Sequence, residues 1–424
     1  MLSPPIDELE AEGPATPSPR PRPPWRSRWS RAPEHRRRRR ALGVIAALLA
    51  AALLWVAMSL GTALDNPALG SSVGARAAEW FREHGGASIV TWAENYWYSH
   101  HQPKVGGALP KGTIHAPRTT PSTRPATSSV AHLPAPAPIA PLASPPVPGE
   151  GQWSPAGRLV DGVPAVYTTM VRPSAIHTSY VVGVAWMDTT LLKATLYSGS
   201  QIPGGGPFTH SAPVSPTDAT TLVTAFNAGF LMSDANGGYY TDGKTILPLR
   251  TGAASFVVYN NGSATVGQWG RDATMTPDVA AVRQNLDLLV DNGQVTPGVS
   301  DANSPNWGAS LHGALYVWRS ALGVTSDGAL VYVGGPGLSI SDLANIMVRA
   351  GAVRAMELDI NTDWVNYSIY APSTSAGLAS PANGTTLLPN MAGTAGRYFV
   401  SWWARDFITM SVVQKSEPPI SSAR

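Results

Sequence analysis

The chain has 424 residues, with 30 Lys and Arg, 27 Asp and Glu, no cysteine and a formal net charge of +3. The lack of cysteine excludes a disulfide framework, a thiolate metal site and a cysteine nucleophile. Charge is unevenly spread: residues 1–40 carry ten Lys/Arg against five Asp/Glu, and residues 151–424 carry 14 against 17. Composition therefore gives no support to nucleic-acid binding by the C-terminal part.

Residues 1–40 are rich in Pro and Arg, lack apolar periodicity and end in the run Arg36–Arg40, which predicts a disordered basic tail. Residues 41–63, "ALGVIAALLAAALLWVAMSLGTA", contain no charge. As a helix they would extend roughly 34 Å, enough to cross a hydrocarbon core of about 30 Å. The basic run on their N-terminal side predicts a single-pass anchor with a cytoplasmic N-terminus and an extracytoplasmic C-terminal part. The competing expectation is a cleaved signal peptide, against which stand the length of the apolar stretch and the poor cleavage site at 61–63.

Residues 64–104 form a juxtamembrane segment with two short helical patterns. Val73, Ala77, Trp80 and Phe81 make the first, and Ile89, Trp92, Ala93, Tyr96 and Trp97 the second, with Gly85-Gly86 between them. Two readings stand: an aromatic helical pair lying on the membrane surface, or a hairpin packed on the protein. Residues 105–150, almost all Pro, Ala, Thr and Ser, predict an extended linker that reaches on the order of 140 Å when fully stretched.

Residues 151–424 predict one α+β domain, a mixed and mostly antiparallel sheet with packed helices. Hairpin turns are expected at Asn261-Gly262, Asn292-Gly293 and Asp327-Gly328. "LSISDLANIMVRAG" (338–351) predicts a helix capped by Ser339 or Ser341, with a stripe of Leu343, Ile346, Met347 and Ala350 and a stop at Gly351. "AVRAMELDI" then returns as a strand, which sets Glu357 and Asp359 on one face, roughly 7 Å apart. Two carboxylates so spaced suit acid/base work on a glycosidic or phosphoryl bond, because each raises the other's pKa.

Asn227-Ala228-Gly229-Phe230 follows an apolar strand, then come Asn292-Gly293, Arg319-Ser320-Ala321-Leu322-Gly323-Val324, the helix and Leu358-Asp359. This ordered set, from about Phe226 to Asp359, resembles the phosphodiester glycosidase family. The chain departs from the family in two places. Ala228 stands where the family usually has Gly, and Ile360-Asn361-Thr362-Asp363 replaces a Gly-rich, Ser-containing turn. The resemblance implies hydrolysis of a sugar-1-phosphodiester with no cofactor; the Ala/Gly/Pro/Arg bias suggests a bacterial chain, and the anchor and linker point to a cell-envelope glycan as substrate.

A reaction of that kind needs a cation for the phosphate, for which Arg319 offers a bidentate fork. It also needs a carboxylate to activate water or stabilise an oxocarbenium-like centre, a role given to Asp359, and a proton source, Glu357 or His312. Asn227, Gly229, Asp242, Asn292, Gly293 and Asn361 complete the expected substrate contacts. Histidine spacing marks no metal site, and no Gly-x-Ser-x-Gly elbow marks a serine hydrolase. The changed turn after Asp359 supports the alternative of a catalytically inactive protein that binds sugar phosphate or envelope glycan on the same fold.

Overall fold

The computed structural model describes residues 32–70, 72–114, 131–308, 315–374 and 377–414; His312 lies outside them. The chain divides into two units, Met1–Ser59 and Leu60–Arg424. A 34-residue helix, α1 (Ala32–Asp65), begins in the first, and its stretch Arg36–Asp65 is long and apolar enough to span a membrane. Leu48, Leu53 and Trp55 on it are exposed.

In the second unit, α2 (Val73–Phe81) and α3 (Ala87–His100) follow closely. Ser72 caps α2 by accepting from the Ala75 N–H at 3.1 Å. The two helices are parted by a kink in which Gly85 adopts φ 86°, a conformation glycine reaches without strain. Trp80 packs with Ala63, Leu69 and Leu60, and Glu79 lies 3.6 Å from Arg405 of the sheet domain, while Ile89, Trp92, Tyr96 and Trp97 stay exposed.

The domain then builds three sheets. In chain order the strands are β1 (Ser154–Val160), β2 (Val163–Val171), β3 (Val182–Met187), β4 (Leu192–Tyr197), β5 (Leu222–Asn227) and β6 (Tyr239–Thr241). Next come β7 (Lys244–Leu247), β8 (Ala254–Tyr259), β9 (Ala264–Gln268), β10 (Val279–Gln284), β11 (Leu288–Asp291) and β12 (Gln294–Val295). The last are β13 (Val317–Thr325), β14 (Leu330–Leu338), β15 (Ala352–Glu357), β16 (Tyr367–Tyr370), β17 (Gly384–Thr386) and β18 (Phe407–Val412). The short helix α4 (Pro216–Ala219) precedes β5, and α5 (Ile340–Arg349) joins β14 to β15.

An eight-stranded sheet runs β1-β2-β3-β14-β13-β15-β11-β12; two five-stranded sheets run β7-β6-β10-β8-β9 and β17-β16-β5-β18-β4. The paired strands are antiparallel throughout, as the recurrent Asn-Gly and Asp-Gly turns lead one to expect. The fold is thus α+β, with mostly antiparallel sheets and a few helices. The three hairpins join β8 to β9, β11 to β12 and β13 to β14. Helix α5 starts on Ser339, whose hydroxyl accepts from the Asp342 N–H at 3.1 Å, and it ends before Gly351 at φ 92°.

Side-chain alternation then assigns the two faces of the large sheet. Leu322 and Met356 face a core shared with the other two sheets through Phe226, Phe256 and Ile408. Ala321 and Ala355 face the opposite way, under Leu343, Ile346 and Met347 of α5. Phe226, Tyr332 and Tyr367 meet at the centre with ring centroids 4.9–5.4 Å apart.

Part of the expected linker lies against the domain. Ile139 and Ala143 are buried. Arg172 donates to Ala143 O (2.9 Å) and Pro145 O (2.7 Å) and pairs with the buried Glu150 at 2.8 Å. A Pro-rich segment cannot build its own core, but here it borrows one, and the long reach expected for 105–150 does not apply to residues 131–150.

Candidate functional site

Asp359 sits where the chain leaves β15, and its main chain is gripped by Ser320 of β13. Ser320 N–H donates to Asp359 O (2.8 Å), and Asp359 N–H donates to Ser320 Oγ (3.1 Å). The same hydroxyl accepts from Asn227 Nδ2 at 3.0 Å. Asn227 Oδ1 accepts from Tyr332 Oη (3.0 Å) and the Asn366 N–H (3.2 Å). Three motifs far apart in the chain therefore converge on one backbone position, and the Asn227 amide is engaged by protein groups.

The Asp359 side chain is 4 % exposed. Burial pushes its carboxyl up to about 7, against the pull of the Arg405 guanidinium and of hydrogen bonds from the Ile360 and Asn361 N–H groups. The Ile360 N–H donates to Asp359 Oδ1 at 2.7 Å. The turn that departs from the family's glycine-rich sequence thus directs its N–H groups at its own carboxylate. Ile360 itself packs with Phe230, Ala235 and Val317.

Arg405 was not singled out from the sequence. It is 7 % exposed, and its guanidinium carbon lies 4.3 Å from the centre of the Trp364 ring. Nη2 is 3.6 Å from Glu79 Oε1 of α2, while buried Nη1 has no hydrogen-bond partner. The readable signal was "WWARDF" (402–407), a charged pair inside an aromatic run.

Both Asp359 and Arg405 line a cavity of about 690 Å³, together with Phe230, Asn361 and Trp364 of the domain. Glu79, Arg82 and Thr91 of the helical pair form its other wall. Arg82 bridges Glu79 (2.8 Å) and Glu94 (2.5 Å), which ties α2 to α3.

The remaining expected residues lie elsewhere. Arg319 and Glu357 form a fully buried ion pair at 2.7 Å, and Arg319 also donates to Leu338 O (3.0 Å) and Trp307 O (2.9 Å). β15 ends at Glu357, so strand alternation does not extend to Asp359, and of the two carboxylates Asp359 lines the cavity while Glu357 faces Arg319. Burial lifts the Glu357 carboxyl to about 7 against the pull of Arg319.

Gly229 serves a close approach: a Cβ there would stand 2.9 Å from Arg283 Cζ. Arg283 in turn pairs with Asp406 at 2.7 Å, both fully buried. Asn292 and Gly293 adopt φ 50° and 73° in the β11–β12 turn, away from the cavity. Asp242 occupies the β6–β7 turn at φ 50°, accepts from the Thr209 N–H at 2.6 Å, and lines a separate cavity of about 710 Å³.

Asn285 was also missed. Its amide donates to Glu357 O (2.9 Å) and Leu358 O (3.1 Å), and its oxygen accepts from the Phe230 N–H (3.2 Å). The signal was the polar run Arg283-Gln284-Asn285 closing an apolar strand. Among the described residues no group of three or more His, Asp or Glu could hold a metal ion.

Three proteins are described among the solved structures similar to this chain. One is the zebrafish N-acetylglucosamine-1-phosphodiester alpha-N-acetylglucosaminidase catalytic domain, auto-inhibited by its pro-peptide. Identity is 15 %, coverage 61 % of this chain and 87 % of that one, and the TM-score 0.40. A hypothetical protein from Synechocystis is 12 % identical over 59 % of this chain and 63 % of its own, with a TM-score of 0.32. A putative exported protein from Burkholderia pseudomallei is 13 % identical over 56 % and 75 %, with a TM-score of 0.28. No curated protein matches the sequence. The ordered motifs from Asn227 to Asp359 fall within residues 220–359, the segment that matches the phosphodiester glycosidase family.

Proposed function

We propose that the protein is a membrane-anchored hydrolase that cleaves the bond between a sugar's anomeric carbon and a phosphodiester oxygen in a cell-envelope glycan. In this reading α1 is a single-pass anchor, residues 1–40 are cytoplasmic and the sheet domain is extracytoplasmic. One observation carries the catalytic part: a buried carboxyl, Asp359, shares a cavity with a buried guanidinium whose Nη1 has no partner. An unpaired buried donor is costly unless a ligand satisfies it, and a phosphodiester oxygen does so while meeting the charge.

Asp359 activates water for attack at the anomeric carbon. The leaving phosphate is already a weak base, so the demand for a proton donor is small. Asn361 reaches the sugar, Asn227, Asn285 and Ser320 hold the turn, and the Arg319–Glu357 pair braces β13 against β15.

Removing the Arg405 guanidinium by Arg405→Gln should raise KM for a phosphodiester substrate about 10–100-fold, as loss of a charge-assisted contact does. Steady-state kinetics check this, and Arg405→Lys should recover part of the loss because the charge remains without the planar fork. The pH profile follows from the Asp359 carboxyl near 7. A base must be ionised, so kcat/KM should rise as pH increases through about 7; a fall across that range would make Asp359 a proton donor instead.

The deciding experiment incubates the full-length, detergent-solubilised protein with an N-acetylglucosamine-1-phosphodiester and measures free sugar. Release by the wild type and none by Asp359→Asn supports hydrolysis. Saturable binding without release would favour the binding protein.

A further inference from the structure

The wall of the cavity formed by the helical pair continues into a second space. A groove of about 880 Å³ runs between Ala75, Ala78 and Phe81 of α2 and Ile89, Ala93 and Trp97 of α3. It shares Leu69, Glu79, Arg82, Asn361 and Trp364 with the Asp359 cavity. The two spaces therefore adjoin, one holding Asp359 and Arg405, the other mostly apolar but also lined by Arg82, Glu94 and Asp363.

The groove is open: Phe81 is 45 % exposed, Ile89 69 % and Trp97 59 %. Alanines on facing helices leave room there for a slender apolar chain. Exposed aromatic and aliphatic side chains on this scale mark a binding surface. The occupant has to be joined to whatever fills the Asp359 cavity, because the two share a boundary. It also has to be at hand near a bilayer, since α2 begins at Val73, shortly after the apolar helix ends at Asp65.

We infer that the substrate is a lipid-linked sugar phosphate, with its sugar at Asp359, its phosphodiester at Arg405 and the start of its hydrocarbon chain in the groove between α2 and α3. This rests on the phosphodiester glycosidase reading for the head group. In the reaction, water oxygen bonds to the anomeric carbon, one water proton passes to Asp359, and the anomeric C–O bond to phosphate breaks. The products are the free sugar and a lipid monophosphate, and no oxidant or cofactor is needed.

The test compares two water-soluble substrates with the same N-acetylglucosamine-1-phosphate head, one esterified to methanol and one to pentanol. Both are presented in free solution, well below micelle formation, to the same detergent-solubilised full-length protein. Each methylene withdrawn from water contributes about fourfold, so seating four gives on the order of 100-fold in kcat/KM for the longer chain. Ala93→Trp, on an exposed position of α3, should cut that ratio at least about tenfold by filling the groove. Equal kcat/KM for the two substrates overturns the inference, as does an advantage that survives Ala93→Trp.

If neither substrate turns over, the hydrolase reading fails, and the groove is judged by binding. Quenching of tryptophan fluorescence by a bromine-labelled long-chain sugar phosphate should then be saturable and lost in Ala93→Trp. Quenching indifferent to that change overturns the groove.

Discussion

Asp359→Asn is expected to lower sugar release about 10³-fold or more, the scale of losing a general base, while the protein becomes more stable at alkaline pH. The two effects have one cause. The buried carboxyl is raised to about 7 from an ordinary 3.8, so between roughly pH 4 and 7 the folded chain binds more protons than the unfolded one. Stability is then fully present below about pH 4 and declines as pH rises towards 7. Asparagine carries no charge to desolvate. At pH 8 the variant should therefore gain about 1–3 kcal/mol, and at pH 4 almost nothing. Thermal unfolding at the two pH values, beside the sugar assay, checks both halves. An inactive variant that is also less stable at pH 8 would mean that the carboxylate holds the turn rather than doing chemistry.

Glu357→Gln should have the largest effect on stability. It leaves the Arg319 guanidinium, 1 % exposed, without its anionic partner at 2.7 Å. Arginine cannot shed its proton, so the uncompensated charge remains, and breaking such a pair costs about 3–5 kcal/mol. For a domain of this size that lowers Tm by about 10 °C. Arg319→Met should cost less, because the stranded Glu357, released from the pull of Arg319, is raised further by burial and can take up a proton. Replacing both by Met should recover most of the stability, since apolar residues of similar volume often substitute for a buried pair without loss. The same series assigns the pair its role. Sugar release by the folded double variant within about tenfold of wild type places the pair in the scaffold, whereas inactivity with recovered stability makes it part of the chemistry.

Gly229 and the Asn292-Gly293 turn illustrate why sequence motifs overstate a site. Both belong to the ordered pattern, yet one makes room for Arg283 and the other closes a hairpin. A turn or a close approach constrains residue type as tightly as a ligand does. Asn227 and Ser320 lie between these extremes: Ser320 touches the Asp359 main chain, and Asn227 holds the Ser320 hydroxyl.

The elements legible in the sequence are local ones. Asn-Gly and Asp-Gly turns set the hairpins, the 3.6-residue stripe and Ser339 set α5, and uncharged length set the apolar helix. Each depends on neighbours a few residues away, where backbone sterics and periodicity decide the outcome. Only long-range pairing separates Arg319 from Arg405. Arg319, chosen for its place in the motif, is consumed by Glu357 and two carbonyls, whereas Arg405, beyond the matched segment, keeps a donor unpaired beside Asp359. The tertiary structure also decided that α2 and α3 wall the cavity and that residues 131–150 lie on the domain. Such outcomes turn on which charges and apolar faces are paired across long separations in the chain, and a desolvated charge left over after that pairing is fixed by the whole fold.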